Sequence, residues 1–541
     1  MDFSKTGHQP EESRLLCLVD ELLLAIIAQI DAHEALCNLA ATCTRLQALA
    51  EPFAWASLLV ISGRHARRIA SALQTRPDRA SYVKDFSVRY QYQVEEGIEE
   101  LDGLVHQMSK LRQLHIESPC PNNDPWRNDL AEFTSWTRID YQALFEQAMD
   151  VGRANPVLPM LQSFTLHGHS SQGKEFSFGR TAAIFLHPTV RRIAISCTNF
   201  EADDALSNLL KPENYRTTAL QSLKFIECNV YISLLDVVLR LPKALKELCI
   251  GERLYVFDEC RPVSDKPRTQ HPRLLEVLQH QADSLERLVH IGGNIHYCMS
   301  PRLTIEDTNK LRNLTRLRHL EISFESVLSF CLARCDGPPD SLETIRFSDE
   351  ALTSAQYDAY QRHVNNIMRY VCQLAVDNMS KPVNVDVCLT HNAITQAVPL
   401  RALPEVWGQS GHNDRKNVYK IASALKSRGA RFRIFGQTFD SGRSYIPPYM
   451  YGEELPKEVL VYDSDNYWTF QGVNWRVTDD DRLLDQKSCV KCMEDNLVCD
   501  EPENPRGCLT CRRRNQLHCQ YPPPSPKEAK SKVSSFIGGM N

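Results

Sequence analysis

Apolar and polar positions follow two rhythms along this chain. Between Asp20 and Ile30 the rhythm is helical: Leu22, Ile26 and Ile30 recur four residues apart on one face, and Ile27 widens it. A second helical stretch is predicted across Leu36, Leu39, Cys43, Leu46 and Phe53, with Trp55 closing the segment. From about residue 80 to 350 the pattern becomes apolar-x-x-apolar-x-apolar. It occurs at Val83-Phe86-Val88, Leu111-Leu114-Ile116, Leu161-Phe164-Leu166 and Val190-Ile193-Ile195. It returns at Leu220-Leu223-Phe225, Leu245-Leu248-Ile250, Leu317-Leu320-Ile322 and Leu342-Ile345-Phe347. Leu285-Leu288 opens a further copy, with His290 where the third apolar residue belongs. Successive copies start 25 to 50 residues apart. The paired residues inside the pattern are mostly polar, as in Arg112-Gln113, Arg191-Arg192, Lys246-Glu247 and Arg318-His319. On a strand they would point off the buried side.

This pattern resembles the leucine-rich repeat, whose units of roughly 20–29 residues carry a strand on one side and a helix on the other. One such unit cannot bury its apolar face alone, so units stack and share a core. The resemblance implies an α/β fold: an irregular, right-handed leucine-rich-repeat-like solenoid with insertions. Residues Pro119 to Thr137, with Asn122, Asn123, Asp124 and Pro125, read as one insertion. The family's asparagine or cysteine after the third apolar residue is mostly missing, and Cys228 alone fits it.

Some forty N-terminal residues cannot bury a stable core alone and must lean on a neighbour or a partner. The stretch resembles the F-box. Leu18, Val19, Asp20, Glu21 and Leu22 match its opening; Cys43, Arg45 and Leu46 match its Cys-x-Arg element; Phe53 to Trp55 match its close. Val19 stands where the family has proline, and Ala54 separates the closing pair. The resemblance implies docking to the Skp-family adaptor of a cullin–RING ubiquitin ligase complex. The residues it assigns to that contact are Leu18, Val19, Leu22, Ile26, Ile27, Ile30, Leu39, Cys43, Leu46 and Trp55.

Beyond residue 350, Ser354 to Val376 reads as a long helix able to cap the array. Val383, Val385 and Val387 alternate as a strand, and Val418 to Lys426 reads as a helix ending at Gly429. Arg431, Arg433, Ile434 and Phe435 read as an exposed-edge strand, and the basic run Lys426, Arg428, Arg431 and Arg433 as a solvated face. An aromatic, turn-rich stretch follows, with Tyr445, Tyr449, Tyr451, Tyr462, Tyr467, Trp468, Phe470 and Trp475. It is expected to pack a small subdomain, with a partner surface as the alternative.

Charge and cysteine content narrow the function. The chain has 62 basic and 67 acidic residues, a formal net charge of −5, so no overall positive field attracts phosphate. No apolar run reaches the length of a membrane span, and the opening residues MDFSKTGHQPEESR lack the core of a secretory leader. A reducing compartment, cytoplasmic or nuclear, is therefore expected for the 19 cysteines. Six of them fall within 31 residues: Cys489, Cys492, Cys499, Cys508, Cys511 and Cys519, spaced C-x2-C-x6-C-x8-C-x2-C-x7-C. Six thiolates satisfy two tetrahedral zinc ions only if two sulfurs bridge. The spacing resembles the fungal binuclear zinc cluster, in which the first and fourth cysteines are the bridges. That family mostly binds DNA through a basic helix between its second and third cysteines. Here that segment reads Met493-Glu494-Asp495-Asn496-Leu497-Val498. Ser488 to Tyr521 carries five basic and five acidic residues, and two zinc ions with six thiolates add about −2. Phosphate would be repelled, which argues against nucleic acid and for a zinc-held protein-contact module.

No Walker A loop, H-E-x-x-H helix or dinucleotide glycine fingerprint is present, and Gly168 to Gly173 is too long for a nucleophile elbow. Catalysis by this chain is not expected. The sequence thus divides into an F-box-like helical domain at residues 1–60 and a solenoid at 61–350. A cap and aromatic-rich α/β segment at 351–487, a zinc module at 488–521 and a low-complexity, disordered tail at 522–541 complete it. The expected function is substrate recognition within a ubiquitin ligase: the repeat region recruits a protein target. The alternatives are a zinc-cluster DNA-binding regulator and a solenoid scaffold with no ubiquitin link.

Overall fold

The computed structural model describes residues 14–89, 96–117, 139–150, 152, 156–167, 176–177, 179–196, 198–200, 211–252, 269, 271–291, 304–323, 326–334, 337–348, 381–389, 421–422, 424–438, 457–465, 489, 491, 508, 511, 512 and 519. They form a mixed α/β protein with extensive parallel sheet, divided into two compact units. The first is Met1–Thr269 with Tyr449–Tyr451, and the second is Gln270–Pro448 with Gly452–Asn541.

The first unit opens with three helices: α1 (Asp20–Ile27), α2 (His33–Ala40) and α3 (Thr44–Ala54). Ile27, Leu36, Ala50 and Ala54 make their small shared core. Strand β1 (Ser57–Val60) follows, then α4 (Gly63–Thr75), started by Ser62, whose hydroxyl accepts from the His65 amide at 3.2 Å. The sheet continues through β2 (Asp85–Arg89), β3 (Gln113–Glu117) and β4 (Ser163–His167). The short β5 (Phe176–Ser177) and β7 (Thr198–Phe200) pair beside it, and β6 (Arg192–Ser196), β8 (Ser222–Val230) and β9 (Glu247–Glu252) complete it. The order β1-β2-β3-β4-β6-β8-β9 is sequential apart from the two short strands, and every neighbouring pair is parallel.

Register explains why the apolar-x-x-apolar-x-apolar pattern folds this way. The second positions align as one row: Phe86, Leu114, Phe164, Ile193, Leu223 and Leu248. The third positions align as another: Val88, Ile116, Leu166, Ile195, Phe225 and Ile250. All twelve are at most 2% exposed. With strands about 4.8 Å apart, each side chain packs on its counterpart above and below. Full burial stabilises by roughly 1.5–3 kcal/mol per residue. The polar pair has a backbone duty as well. The Arg112 carbonyl accepts from the Gln162 and Ser163 amides at 2.8 and 3.0 Å, and the Gln162 carbonyl accepts from Arg191 and Arg192 at 2.9 and 3.1 Å. Arg191 and Gln221 repeat the arrangement one and two strands on. Cys228 is fully buried, and its Sγ lies 3.4 Å from the Ile195 carbonyl of the preceding strand.

In the second unit, α5 (Arg273–Leu278) leads into β10 (Arg287–Ile291). After α6 (Ile305–Asn309), capped reciprocally by Thr304 and Asp307, come β11 (His319–Ser323) and α7 (Val327–Arg334). Then follow β12 (Thr344–Ser348), β13 (Asn384–Leu389), β14 (Phe432–Thr438) and β15 (Lys457–Asp463). Pairing is parallel from β10 to β14 and antiparallel between β14 and β15. The buried rows recur as Leu288, Leu320, Ile345, Val385 and Phe432, and as His290, Ile322, Phe347, Val387 and Ile434.

His290 occupies its apolar slot at 0% exposure, with Nδ1 2.6 Å from Ser326 Oγ. Burial pushes its pKa down to about 3, so the ring stays neutral. The strand at Arg431–Phe435 is not an edge, because β15 covers its far side. The expected stop at Gly429 is present: its φ is +79°, a conformation that glycine adopts without strain. The Pro119–Thr137 insertion and the Ser354–Val376 helix lie outside the described residues. So do the Gly168–Gly173 stretch and the aromatic residues from Tyr445 to Trp475 named above, except Tyr462, which falls in β15.

Candidate functional site

Two places carry unexplained chemistry. The first is the N-terminal helical group. Among the described residues, eight large apolar side chains are exposed, and six of them lie between Leu15 and Ile26: Leu15, Leu16, Val19, Leu22, Leu24 and Ile26. Val19, Leu22 and Ile26 are 57%, 52% and 46% exposed. Of the residues assigned to the adaptor contact, Leu18, Ile30, Leu39, Cys43 and Trp55 are half-buried. Ile27 and Leu46 point inward and are 2% and 5% exposed. The helical face predicted from Leu22, Ile26 and Ile30 therefore does not include Ile27, which turns with Leu23 toward the interior. Leu15, Leu16 and Leu24 belong to the exposed set and were not singled out by periodicity.

This group is fixed to the strands by a buried carboxylate. Glu51, on α3, has a side chain only 8% exposed. Its Oε1 accepts from Arg79 Nε at 2.7 Å and also from Arg79 Nη2, and its Oε2 accepts from Arg76 Nη2 at 3.2 Å. The Arg79 guanidinium lies 5.1 Å from the Trp55 ring centroid, a cation–π contact. Arg76 and Arg79 belong to the turn that leads into β2, so α3 and the sheet are joined without reliance on the exposed leucines.

The second place is the cysteine cluster. Sγ atoms of Cys489, Cys508, Cys511 and Cys519 all lie within 4.8 Å of one another. Cys489 Sγ is 3.8 Å from Cys508 Sγ and 3.5 Å from Cys511 Sγ. A disulfide would bring sulfurs to about 2.05 Å. Four thiolates around one zinc at about 2.3 Å would stand about 3.8 Å apart, and the observed spacing fits that. Two amides donate to sulfur: Cys508 N to Cys519 Sγ at 3.2 Å, and Cys511 N to Cys508 Sγ at 3.3 Å. Such donors favour the thiolate over the thiol. Four cysteines thus form a set able to hold a metal ion. Cys492 and Cys499 and the Met493–Val498 segment lie outside the described residues.

The outward positions of the second unit form a paired ionic row rather than an open basic face. Arg287 Nη2 donates to Glu321 at 2.9 Å, and Arg433 makes a fork on Asp386 at 2.7 and 2.6 Å. Arg431 Nε donates to Asp463 at 2.8 Å. Arg346 and Arg433 stand 5.4 and 5.2 Å from the Phe435 ring centroid. Burial raises the Glu321 pKa against the opposing pull of Arg346 and Arg287. No described helix is long and apolar enough to cross a membrane. No protein-family model matches the chain. No curated protein matches it significantly.

Proposed function

We propose that this chain is an F-box protein, the substrate-recognition subunit of a cullin–RING ubiquitin ligase. The observation that carries the reading is the concentration of exposed leucine, valine and isoleucine between Leu15 and Ile26. Among the described residues nearly every other large apolar side chain is buried or half-buried, with Ile61 and Met160 the exceptions, so the exposed apolar side chains concentrate here, as a partner surface would have them. In this reading Val19, Leu22 and Ile26 dock the Skp-family adaptor, with Leu18, Ile30, Leu39, Cys43 and Trp55 at the margin. Ile27 and Leu46 shape the surface from beneath. The strand array acts as a degenerate leucine-rich-repeat solenoid that holds a protein target. The bond-forming step belongs to the associated ubiquitin-conjugating enzyme, and this chain supplies proximity.

The cysteine module completes the proposal as a binuclear zinc cluster. Cys489, Cys508, Cys511 and Cys519 would hold one ion, and Cys492 and Cys499 would complete a second site that shares Cys489 and Cys508. Zinc there serves folding, and it would keep a compact protein-contact surface in place. Metal analysis of the purified chain should return about two zinc per molecule. Cys511→Ser should lower that number, and a chelator should unfold the module without melting the strand array.

The test of the main reading is capture of purified Skp-family adaptor by the full chain. Wild type should retain it, and Leu22→Asp should lose it while unfolding at the same midpoint. Equal capture by both proteins would refute the assignment.

A further inference from the structure

Ahead of α1 the chain forms a four-residue helical turn, Arg14–Cys17, with no buried residue. A turn this short has no core of its own, and the N-cap of α1, Val19, offers no side-chain cap. The turn is held instead from α3. Arg45 Nη1 donates to the Leu16 carbonyl at 2.6 Å, and Nη2 donates to the Leu18 carbonyl at 2.7 Å. Nε and Nη2 both donate to Asp20 Oδ1, at 2.9 and 2.8 Å. One planar guanidinium thereby fixes three successive points on the segment, from a helix 25 to 29 residues further along the chain. A lysine ammonium lacks the fork that reaches all three. The ion pair itself contributes little, since the Arg45 and Asp20 side chains are 40% and 56% exposed and water screens them. The positional content lies in the two carbonyl bonds.

We propose that Arg45 is a positioning residue that staples the Arg14–Cys17 turn, so that Leu15 and Leu16 extend the adaptor-docking surface of Val19, Leu22 and Ile26. This deepens the F-box reading and rests on it. Fixing the turn in advance removes an ordering penalty from binding, roughly tenfold in affinity for each residue that would otherwise be ordered on contact. It also explains why two leucines outside any regular helix are held in the open beside the others.

The experiment measures equilibrium binding of purified Skp-family adaptor to the full chain. It is paired with thermal unfolding and amide hydrogen exchange across residues 16–20. The Leu15→Asp/Leu16→Asp double variant should bind roughly tenfold more weakly or worse. Arg45→Gln should weaken binding to a similar degree, quicken exchange in that segment and leave the unfolding midpoint in place. Arg45→Lys should not restore affinity. The leucine double variant alters only exposed side chains, so it reports even if Arg45→Gln disturbs the helices. Should Leu22→Asp abolish binding while the leucine double variant and Arg45→Gln bind as wild type, the staple is overturned and the F-box reading stands. Should wild type fail to bind adaptor, or self-associate through this surface instead, both fall together.

Discussion

Ile26 and Ile27 are neighbours of identical chemistry with opposite surroundings. Ile26 is 46% exposed, while Ile27 is 2% exposed against Leu36, Ala50 and Ala54. The same contrast separates the strand rows from the N-terminal segment. Phe86, Leu114 and Phe164 are sealed between neighbouring strands, whereas Leu15, Leu16, Val19 and Leu22 face water. An apolar residue in the rows describes the fold. An apolar residue on the outer side of α1 describes a contact that the described residues do not make. Substitutions can separate those two meanings, because only the first kind should register in stability.

The largest effect is expected at Phe164, which is fully buried with the Phe145 ring centroid 5.0 Å away, edge to face. Phe164→Ala should cost about 3–5 kcal/mol in denaturant unfolding. A loss below 1 kcal/mol would mean that the row is not packed as described. Ile27→Ala should cost about 2–4 kcal/mol to the helical group, because it opens a cavity in a core that has four buried residues among those described. Next is Glu51→Ala, expected at roughly 2–3 kcal/mol. It strands Arg79, whose side chain is 18% exposed, while Arg76 is solvated enough to find water.

The acid response tests the one polar member of the rows. His290 has an ordinary pKa of 6.5 when unfolded and about 3 when folded. Below pH 6.5 the unfolded chain takes up a proton that the native chain refuses. Its contribution to stability is thus intact above pH 6.5 and falls by roughly 1.4 kcal/mol per pH unit until about pH 3. His187, pushed down to about 4 by burial, acts in the same direction. His290→Leu should flatten the slope between pH 6 and 4. An unchanged slope would place the titration elsewhere. The smallest effect is predicted for Ile26→Ala, within about 0.5 kcal/mol. A large loss there would remove the contrast on which the docking surface depends.

The strand rows were legible because two constraints coincide in sequence: apolar residues two apart, and a polar pair ahead of them. Even His290 was visible as the exception, although only the structure supplies Ser326 beside it. β1 was not legible, since its leading apolar position is Trp55, which reads as the close of the helical segment, and Ala56-Ser57 stands where the polar pair belongs. α4 is also faint in the sequence, because alanines carry much of its buried side, Ala66 and Ala70 with Ile69 and Leu73. On α1 the sequence shows apolar residues nearly all round, so periodicity could not tell which side turns inward. Leu23 and Ile27 won because the α2 and α3 core lies on their side. Arg431 and Arg433 looked like a solvated pair because their partners, Asp463 and Asp386, lie 32 and 47 residues away. The cysteine spacing pointed to a metal site, and among the described residues four of the six cysteines converge into a set able to hold one ion.

The Glu51–Arg76–Arg79 knot has a mechanical consequence. It makes α3 and the turn before β2 a bracket rather than a hinge, because swinging one against the other would expose a carboxylate seated between two guanidinium groups. A body gripping α1 would therefore carry the first strands at a set angle with little slack. In the proposed reading, the reach of a target held by those strands would then be set by a lever arm of fixed length, not by the give of a linker.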